Sequence, residues 1–527
     1  MFLSPFPDVD IPSLSIYDYL FTGLAEDDLD RVAVIDGSSG ASMTYRTLID
    51  QINRVAGALA ARGVGPGTVV GLLCPNIPAF TSVFHGILRT GATVTTINSL
   101  YTADDIENQL TDSGATWLFT LSPLYPAAHE AAVAVGLDDA HMFVLDGAGG
   151  HLSLADLLGE DAPAPVVEID PATHIAVLPY SSGTTARPKG VMLSHRNLVA
   201  NVEQARGLLT VVADDRLLAV LPFFHIYGMT VLLNLAFKQR SALVTMPRFD
   251  LTEFLRIMQD HACSYVFIAP PIAVALAKHP LVDAFDLSSV HTILSGAAPL
   301  DGALSDAVAA RLGCRMLQGY GMTEASPVTQ LIPQNALDVS PDSVGYTIPN
   351  MQCKLISTAT GAEIDLPAEG MSEPGELLVR GPNVMLGYLG NEQATHEAID
   401  AEGFLHTGDI ATVSAEGVVK IVDRSKELIK YKGYQIPPAE LEALLLTHPA
   451  VADAAVIGVL DDDGQEIPKA FLVVTVSGAV TAEEIMAYVA EHVSPHKKVR
   501  RVEFIDVIPK SSSGKILRKD LRARETA

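Results

Sequence analysis

From residue 32 onward one pattern recurs along the chain. A short run of consecutive apolar residues is followed by a longer stretch whose apolar positions return every three to four residues. Apolar runs rich in Val, Ile and Leu fit strands buried on both faces, and the periodic stretches fit amphipathic helices. The pattern predicts strands over 32–35, 68–74 and 93–97, alternating with helices over 45–62, 79–88 and 103–111. It resumes with strands over 242–246, 265–269 and 292–294 and helices over 251–261, 271–278 and 301–311. Such alternation predicts an α/β fold of parallel sheets covered by helices, with ligands beyond the carboxyl ends of the strands.

The texture changes after Met351. Short runs over 375–381 and 417–423, flanked by turn residues, read as a small β subdomain. Past Lys426 a compact α/β unit follows, with helices over 438–447 and 482–492 and strands over 454–459, 470–476 and 502–504. We therefore expect a large N-terminal domain, residues 1–424, and a small mobile C-terminal domain, residues 425–527, divided within Asp423-Arg424-Ser425-Lys426. One stretch, 217–237, is apolar enough and long enough to suggest a membrane span. Pro222, His225, Gly228 and Asn234 interrupt it, so it reads better as a buried strand over 217–221, a turn, and a core helix from Met229.

Composition narrows the partners. The chain has 527 residues, 48% hydrophobic and 18% charged, which suits an ordinary folded protein. Its net charge of −27 argues against a nucleic-acid partner, although a local basic patch still attracts a nucleotide. Cys74, Cys263, Cys314 and Cys353 are scattered without metal-ligand spacing and read as small buried hydrophobes. The first ten residues carry neither a basic patch nor an apolar core, and the last three are not Ser-Lys-Leu, so the expected location is cytoplasmic.

Candidate chemistry lies in five segments. Tyr180-Ser181-Ser182-Gly183-Thr184-Thr185-Ala186-Arg187-Pro188-Lys189-Gly190 follows an apolar run and precedes an amphipathic stretch. Its hydroxyls, glycines and lysine suit a phosphate cradle between strand and helix, though the order around Lys189 is not that of a P-loop. Taken alone, a polar surface turn accounts for it equally well. In Gln318-Gly319-Tyr320-Gly321-Met322-Thr323-Glu324 the glycines let a planar base lie beside Tyr320, and Glu324 is placed to hold Mg²⁺. Asp409, in Leu405-His406-Thr407-Gly408-Asp409, suits two ribose hydroxyls. A basic strip runs from Asp423 to Gln435, and Lys515 stands on a Ser/Gly loop after Pro509. Singly, these last two read as a solvated face and a flexible tail.

In this order and at these separations, the five segments resemble the adenylate-forming superfamily over nearly the whole chain. Pro222-Phe223-Phe224-His225-Ile226-Tyr227-Gly228, Ser295-Gly296-Ala297-Ala298-Pro299-Leu300 and the strip from Glu427 to Gly433 are similar to the 4-coumarate–CoA ligases and related aryl- or acyl-CoA ligases. The resemblance implies that fold, with a mobile C-terminal domain, and the use of ATP, Mg²⁺ and coenzyme A. It implies that Ser181, Ser182, Gly183, Thr184, Thr185 and Lys189 hold ATP phosphates. Gln318, Gly319, Tyr320 and Thr323 would meet the adenine and AMP, with Glu324 on the metal. Asp409 and Arg424 would take the ribose and Gln435 the AMP, with Lys515 catalysing adenylation. Lys430, Lys432 and Gly433 would face the coenzyme A tunnel, Arg248 its phosphates, and Lys426 would be the hinge. Tyr227, Gly296, Gly321, Pro327 and Val328 would line the acyl pocket, with His225 facing substrate or thiol.

The implied reaction joins a carboxylic acid to AMP with release of pyrophosphate, then transfers the acyl group to coenzyme A. Its expected substrate is 4-coumarate or a related aryl acid. A medium- or long-chain fatty acid, and an acyl-AMP ligase serving a carrier protein, are the alternatives. Two departures stand out: Ala186 replaces a glycine usual in the phosphate loop, and Ser326 replaces one common in the plant coumarate enzymes.

Overall fold

A computed structural model describes residues 1–527 except 182–187, 425, 432–433, 462–464, 477–479, 512–513 and 526–527, together with the side chains of 434–435. The largest sheet has a parallel half and an antiparallel half. The parallel half runs Val32–Asp36, Ala242–Thr245, Arg216–Ala219, Tyr265–Ile268, Thr292–Ser295, Arg315–Gly321. The antiparallel half continues through Val328–Leu331, Gly345–Thr347, Val418–Arg424, Leu405–Val413, Gly375–Arg380 and Gln352–Ile356. The β-rich stretch expected after Met351 thus hydrogen-bonds onto the parallel strands as one continuous sheet. A second sheet runs Gly387–Tyr388, Lys189–Ser194, Ile175–Val177, Thr93–Ile97, Val69–Leu73, Trp117–Thr120, Met142–Val144.

The helices predicted from periodicity pack in and around these sheets. In Tyr45–Ala60, Leu48, Ile52, Val55 and Leu59 recur at helical spacing and are fully buried, each contributing roughly 2 kcal/mol of transfer free energy. Thr44 starts this helix by accepting the Thr47 N–H. Its partner, Pro78–Arg89, is apolar nearly all round and crosses it closely at Gly86. A Cβ there would lie 2.6 Å from Val55 Cγ1, so Gly86→Leu would force the two helices apart.

Two predicted elements differ. The stretch after Pro188 forms a strand, Lys189–Ser194, before any helix, and it pairs antiparallel with Tyr180–Ser181 and Ile175–Val177. Pro188 and Gly190 disfavour helix, whereas Ser194 accepts the Asn197 N–H and starts His195–Leu209. The segment expected to cradle phosphates therefore lies between two strands, not between a strand and a helix. The core helix expected from Met229 begins as a π-helix, Gly228–Asn234, and continues as Leu235–Gln239. Gly228 is required there, since a Cβ would stand 2.2 Å from the Pro222 oxygen. Among the described residues no helix is long and apolar enough to cross a membrane.

The residues beyond 428 build their own core from Ile429, Ile436, Leu441, Leu445, Val456 and Leu472. Strands Val451–Leu460 and Glu466–Val474 pair antiparallel, and Arg501–Phe504 joins parallel to the second. Helices Pro438–Thr447 and Ala482–His492 pack on them with the bounds the periodicity predicts.

Candidate active site

The strand Arg315–Gly321 carries Tyr320 across the junction between the two halves of the large sheet. Its hydroxyl donates to Asp409 Oδ2. Asp409 faces Arg424 across neighbouring strands, with Arg424 Nε 3.3 Å from its other oxygen. Burial, and then the Asp409 charge, push the Tyr320 hydroxyl pKa far above its ordinary value, so it stays a proton donor. The sheet register alone thus assembles a planar ring, a buried carboxylate and a guanidinium.

Lys515 reaches the same place from the C-terminal region. A tight turn holds it: the Ser511 N–H donates to the Lys515 oxygen at 2.8 Å, and the Lys515 N–H donates to Ser511 Oγ at 3.1 Å. Lys510 Nζ anchors the turn to Asp453 at 2.6 Å. Burial brings the Lys515 pKa down to about 8; Arg424 acts in the same direction and Asp409 opposes it. At pH 7 the ammonium remains the major form.

His225 is half-buried, its accessible part lining the adjoining pocket. Burial first, and then the nearby Lys515 charge, bring its pKa down to about 4, so the imidazole is neutral at pH 7. Its Nδ1 accepts the Tyr227 N–H at 3.3 Å, which leaves the proton on Nε2 as a donor.

A second group gathers around Tyr388. The Lys189 ammonium lies 4.7 Å from the centroid of its ring, and the Tyr388 hydroxyl donates to Glu324 Oε1 at 2.9 Å. Glu324 is 6% exposed and sits in the short turn Thr323–Ala325. Among the described residues no three His, Cys, Asp or Glu gather to hold a metal. A cation at Glu324 would thus take most of its ligands from phosphate and water, as Mg²⁺ does at nucleotide sites. Ser181 is buried beside Lys189, whereas Ser182, Gly183, Thr184, Thr185 and Ala186 lie outside the described residues.

Between these groups opens a narrow apolar pocket. The five residues expected there, Tyr227, Gly296, Gly321, Pro327 and Val328, all line it, joined by His225. Among the described lining residues there is no Asp, Glu, Lys or Arg. Gly321 is required, since its Cβ would stand 2.2 Å from the Pro327 oxygen. Ala297, which lines the pocket, and Ser326, buried next to the lining Pro327, hold left-handed φ of 71° and 72°, a strain that natural proteins keep mainly at functional sites.

Other expected residues lie less directly. Gln318 has its side chain fully engaged: Nε2 donates to the oxygens of Leu300 and Pro341, and Oε1 accepts the Leu300 N–H. It holds the turn after Gly296 and presents no free amide to a ligand. Gly319 lies under Leu331, where a Cβ would be 3.1 Å from Cδ1, and Thr323 is half-buried. Arg248 is exposed after strand Ala242–Thr245. Lys430 is exposed on the hairpin strand Ile429–Tyr431, and Lys426 is exposed just before it. Lys432, Gly433 and the Gln435 side chain lie outside the described residues. Sequence reasoning missed Tyr388. Its signal, Gly387-Tyr388 in a turn-rich stretch, stands some 200 residues from the lysine it meets.

The AMP-binding enzyme family profile matches residues 21–389, and that of the AMP-binding enzyme C-terminal domain matches residues 440–515. 4-Coumarate–CoA ligase 5 of Oryza sativa subsp. japonica is 42% identical over 100% of this chain and 98% of its own length. Probable 4-coumarate–CoA ligase 1 of Dictyostelium discoideum is 38% identical over 99% and 97%. Among solved structures, the anthranilate CoA ligase AuaEII in complex with anthranoyl-AMP superposes with a TM-score of 0.89 at 26% identity, covering 98% of both chains. ATP-bound MatB from Rhodopseudomonas palustris gives 0.87 at 27% identity, over 97% of this chain and 99% of that one. With the Tyr320–Asp409–Arg424 cluster beside an apolar pocket, these likenesses place the chain in the AMP-binding enzyme family, as an adenylate-forming acid–CoA ligase that uses ATP and coenzyme A.

Proposed function

We propose that this ligase activates 4-coumarate or a closely related aryl acid. The observation that carries this reading is the pocket itself, with no charged side chain among its described lining residues and with Tyr227 packed closely against Gly296. A slot of that kind favours a planar ring over a second carboxylate, whose desolvation it leaves uncompensated. The relatives named for 4-coumarate support the same class.

In the first half-reaction a carboxylate oxygen attacks the α-phosphorus and pyrophosphate leaves, giving the acyl-adenylate. Lys515 supplies an ammonium where negative charge builds, and Lys189 supports the phosphates from the opposite side. Asp409 and Arg424 are the proposed ribose partners, and Tyr320 the base platform. The neutral His225, with its proton on Nε2, suits a hydrogen bond to the acid's oxygen. Mg²⁺ on Glu324 would neutralise phosphate charge when bound. In the second half-reaction the coenzyme A sulfur attacks the acyl carbon and AMP leaves with the bond electrons. We propose that the C-terminal domain, residues 425–527, turns about Lys426 between the two steps, replacing Lys515 by Lys430 and its neighbours. A cytoplasmic location completes the proposal.

A panel of 4-coumarate, benzoate and octanoate, assayed for AMP release with ATP, Mg²⁺ and coenzyme A, tests the substrate. Turnover led by 4-coumarate is expected. Preference for octanoate would replace the aryl reading with a fatty acid, and consumption of ATP without coenzyme A would favour a carrier-protein acceptor.

A further inference from the structure

One helix of the N-terminal domain touches the C-terminal domain at both of its ends. At the start of Pro270–Lys278, Gly514 of the Lys515 turn packs so closely that a Cβ on it would lie 3.2 Å from Ala269 Cβ and 3.4 Å from Pro271 Cδ. At the far end, Lys278 Nζ donates to the Leu446 oxygen at 2.6 Å and reaches the Val451 oxygen at 3.4 Å. Leu446 lies in the last turn of Pro438–Thr447, where carbonyls lack partners within their own helix. The neighbouring oxygens are already used: Leu444 accepts Thr447 Oγ1 and Leu445 accepts the His448 N–H. An ammonium there satisfies the Leu446 carbonyl and complements the negative end of the helix dipole.

We infer that Pro270–Lys278 is a docking rail for the C-terminal domain, and that Lys278 is a positioning residue for the adenylation half-reaction. The inference rests on the proposed alternation of that domain. A nine-residue helix spans about 13 Å, so two contacts at its ends set an orientation that one contact leaves free. Both partners belong to the C-terminal domain, so a turn about Lys426 releases them together. The catalytic-turn contact at Gly514 carries no charge, which leaves Lys278 as the polar latch of the pair. Lys278 does not line the acyl pocket, and its charge is not among those acting on Lys515. Its influence on chemistry therefore runs through docking.

The test compares two half-reactions in the full-length enzyme: 4-coumarate-dependent ATP–pyrophosphate exchange, and thioester formation from supplied 4-coumaroyl-AMP and coenzyme A. Lys278→Ala should lower exchange about 5- to 20-fold, the loss of one charge-assisted hydrogen bond, and leave thioester formation within about twofold or faster. Lys278→Arg, which keeps the donors, should restore exchange to within about threefold. Equal loss of both half-reactions, or unchanged exchange in Lys278→Ala, overturns the latch. Lys515→Ala run alongside separates the two possible failures. If it loses both half-reactions, the alternating domain is wrong and the latch falls with it. If it loses exchange alone while Lys278→Ala shows no such split, the domain alternates and only the latch is wrong.

Discussion

Gly296 and Tyr227 are in close contact: the Cβ that Gly296 lacks would stand 3.0 Å from Cε1, Cζ and the hydroxyl oxygen of Tyr227. The ring has little room to yield, because its own hydroxyl points back to the Leu294 oxygen at 3.4 Å. Gly296→Ala therefore pushes the ring into the pocket. Overpacking of this kind is worth about 1–2 kcal/mol, so the KM for 4-coumarate should rise roughly tenfold. The KM for ATP should stay within about twofold, and steady-state kinetics with each substrate varied in turn checks both.

The two lysines should divide the reaction between them. Lys515→Ala should lower carboxylate-dependent pyrophosphate exchange by at least about 100-fold, the usual loss for one preorganised charge or donor. It should spare thioester formation from supplied acyl-adenylate. Lys430→Ala should spare exchange and slow the thioester step. Equal loss of both steps in both variants would refute the alternation.

The buried Lys515 gives a pH dependence whose sign follows from its lowered pKa of about 8. On the proposal that its charged form serves adenylation, kcat/KM for ATP should hold below pH 8 and fall about tenfold per unit above it. Stability runs the other way. The unfolded lysine, with a pKa near 10.4, binds more protons than the folded one between about pH 8 and 10.4. The folding penalty of burying this charge is full below pH 8 and fades as pH rises through that window. Lys515→Arg should flatten the alkaline limb of the activity profile, whatever its absolute rate.

Ser326 combines a left-handed φ of 72° with a buried hydrogen bond from its Oγ to the Asn383 oxygen at 2.8 Å. Ser326→Ala removes the bond and keeps the strain, and should destabilise by about 1–2 kcal/mol. Ser326→Gly removes both, and relief of about 1 kcal/mol should bring it close to the parent. Denaturant midpoints of the two variants order them; a glycine variant weaker than the alanine one would contradict this account.

Local signals made much of the fold legible. Helix Ala482–His492 was predictable to the residue because Thr481 and Glu484 form a capping box, and Pro438–Thr447 because a proline opens it. The strand Lys189–Ser194 was not, because it is completed on one edge by Gly387–Tyr388, which comes from a distant segment. In the site, glycine-, hydroxyl- and lysine-rich loops marked Lys189, Tyr320, Asp409 and Lys515 as candidates, and the resemblance of the whole set, not any one loop, suggested their roles. Tyr388 and Lys278 gave no such signal, since the partners each one meets lie far away in the chain.

By itself, then, the order of residues determined most of the strands and helices, and which loops are candidates for phosphate binding, because periodicity, caps and turn residues act over a few positions. Only the tertiary structure decided that Tyr320, Asp409, Arg424 and Lys515 share one site. It also decided that His225 is neutral there, and that the acyl slot holds no described charged side chain. Those properties depend on burial and on approach across hundreds of residues, and a dielectric environment exists only once the sheets have closed around the groups.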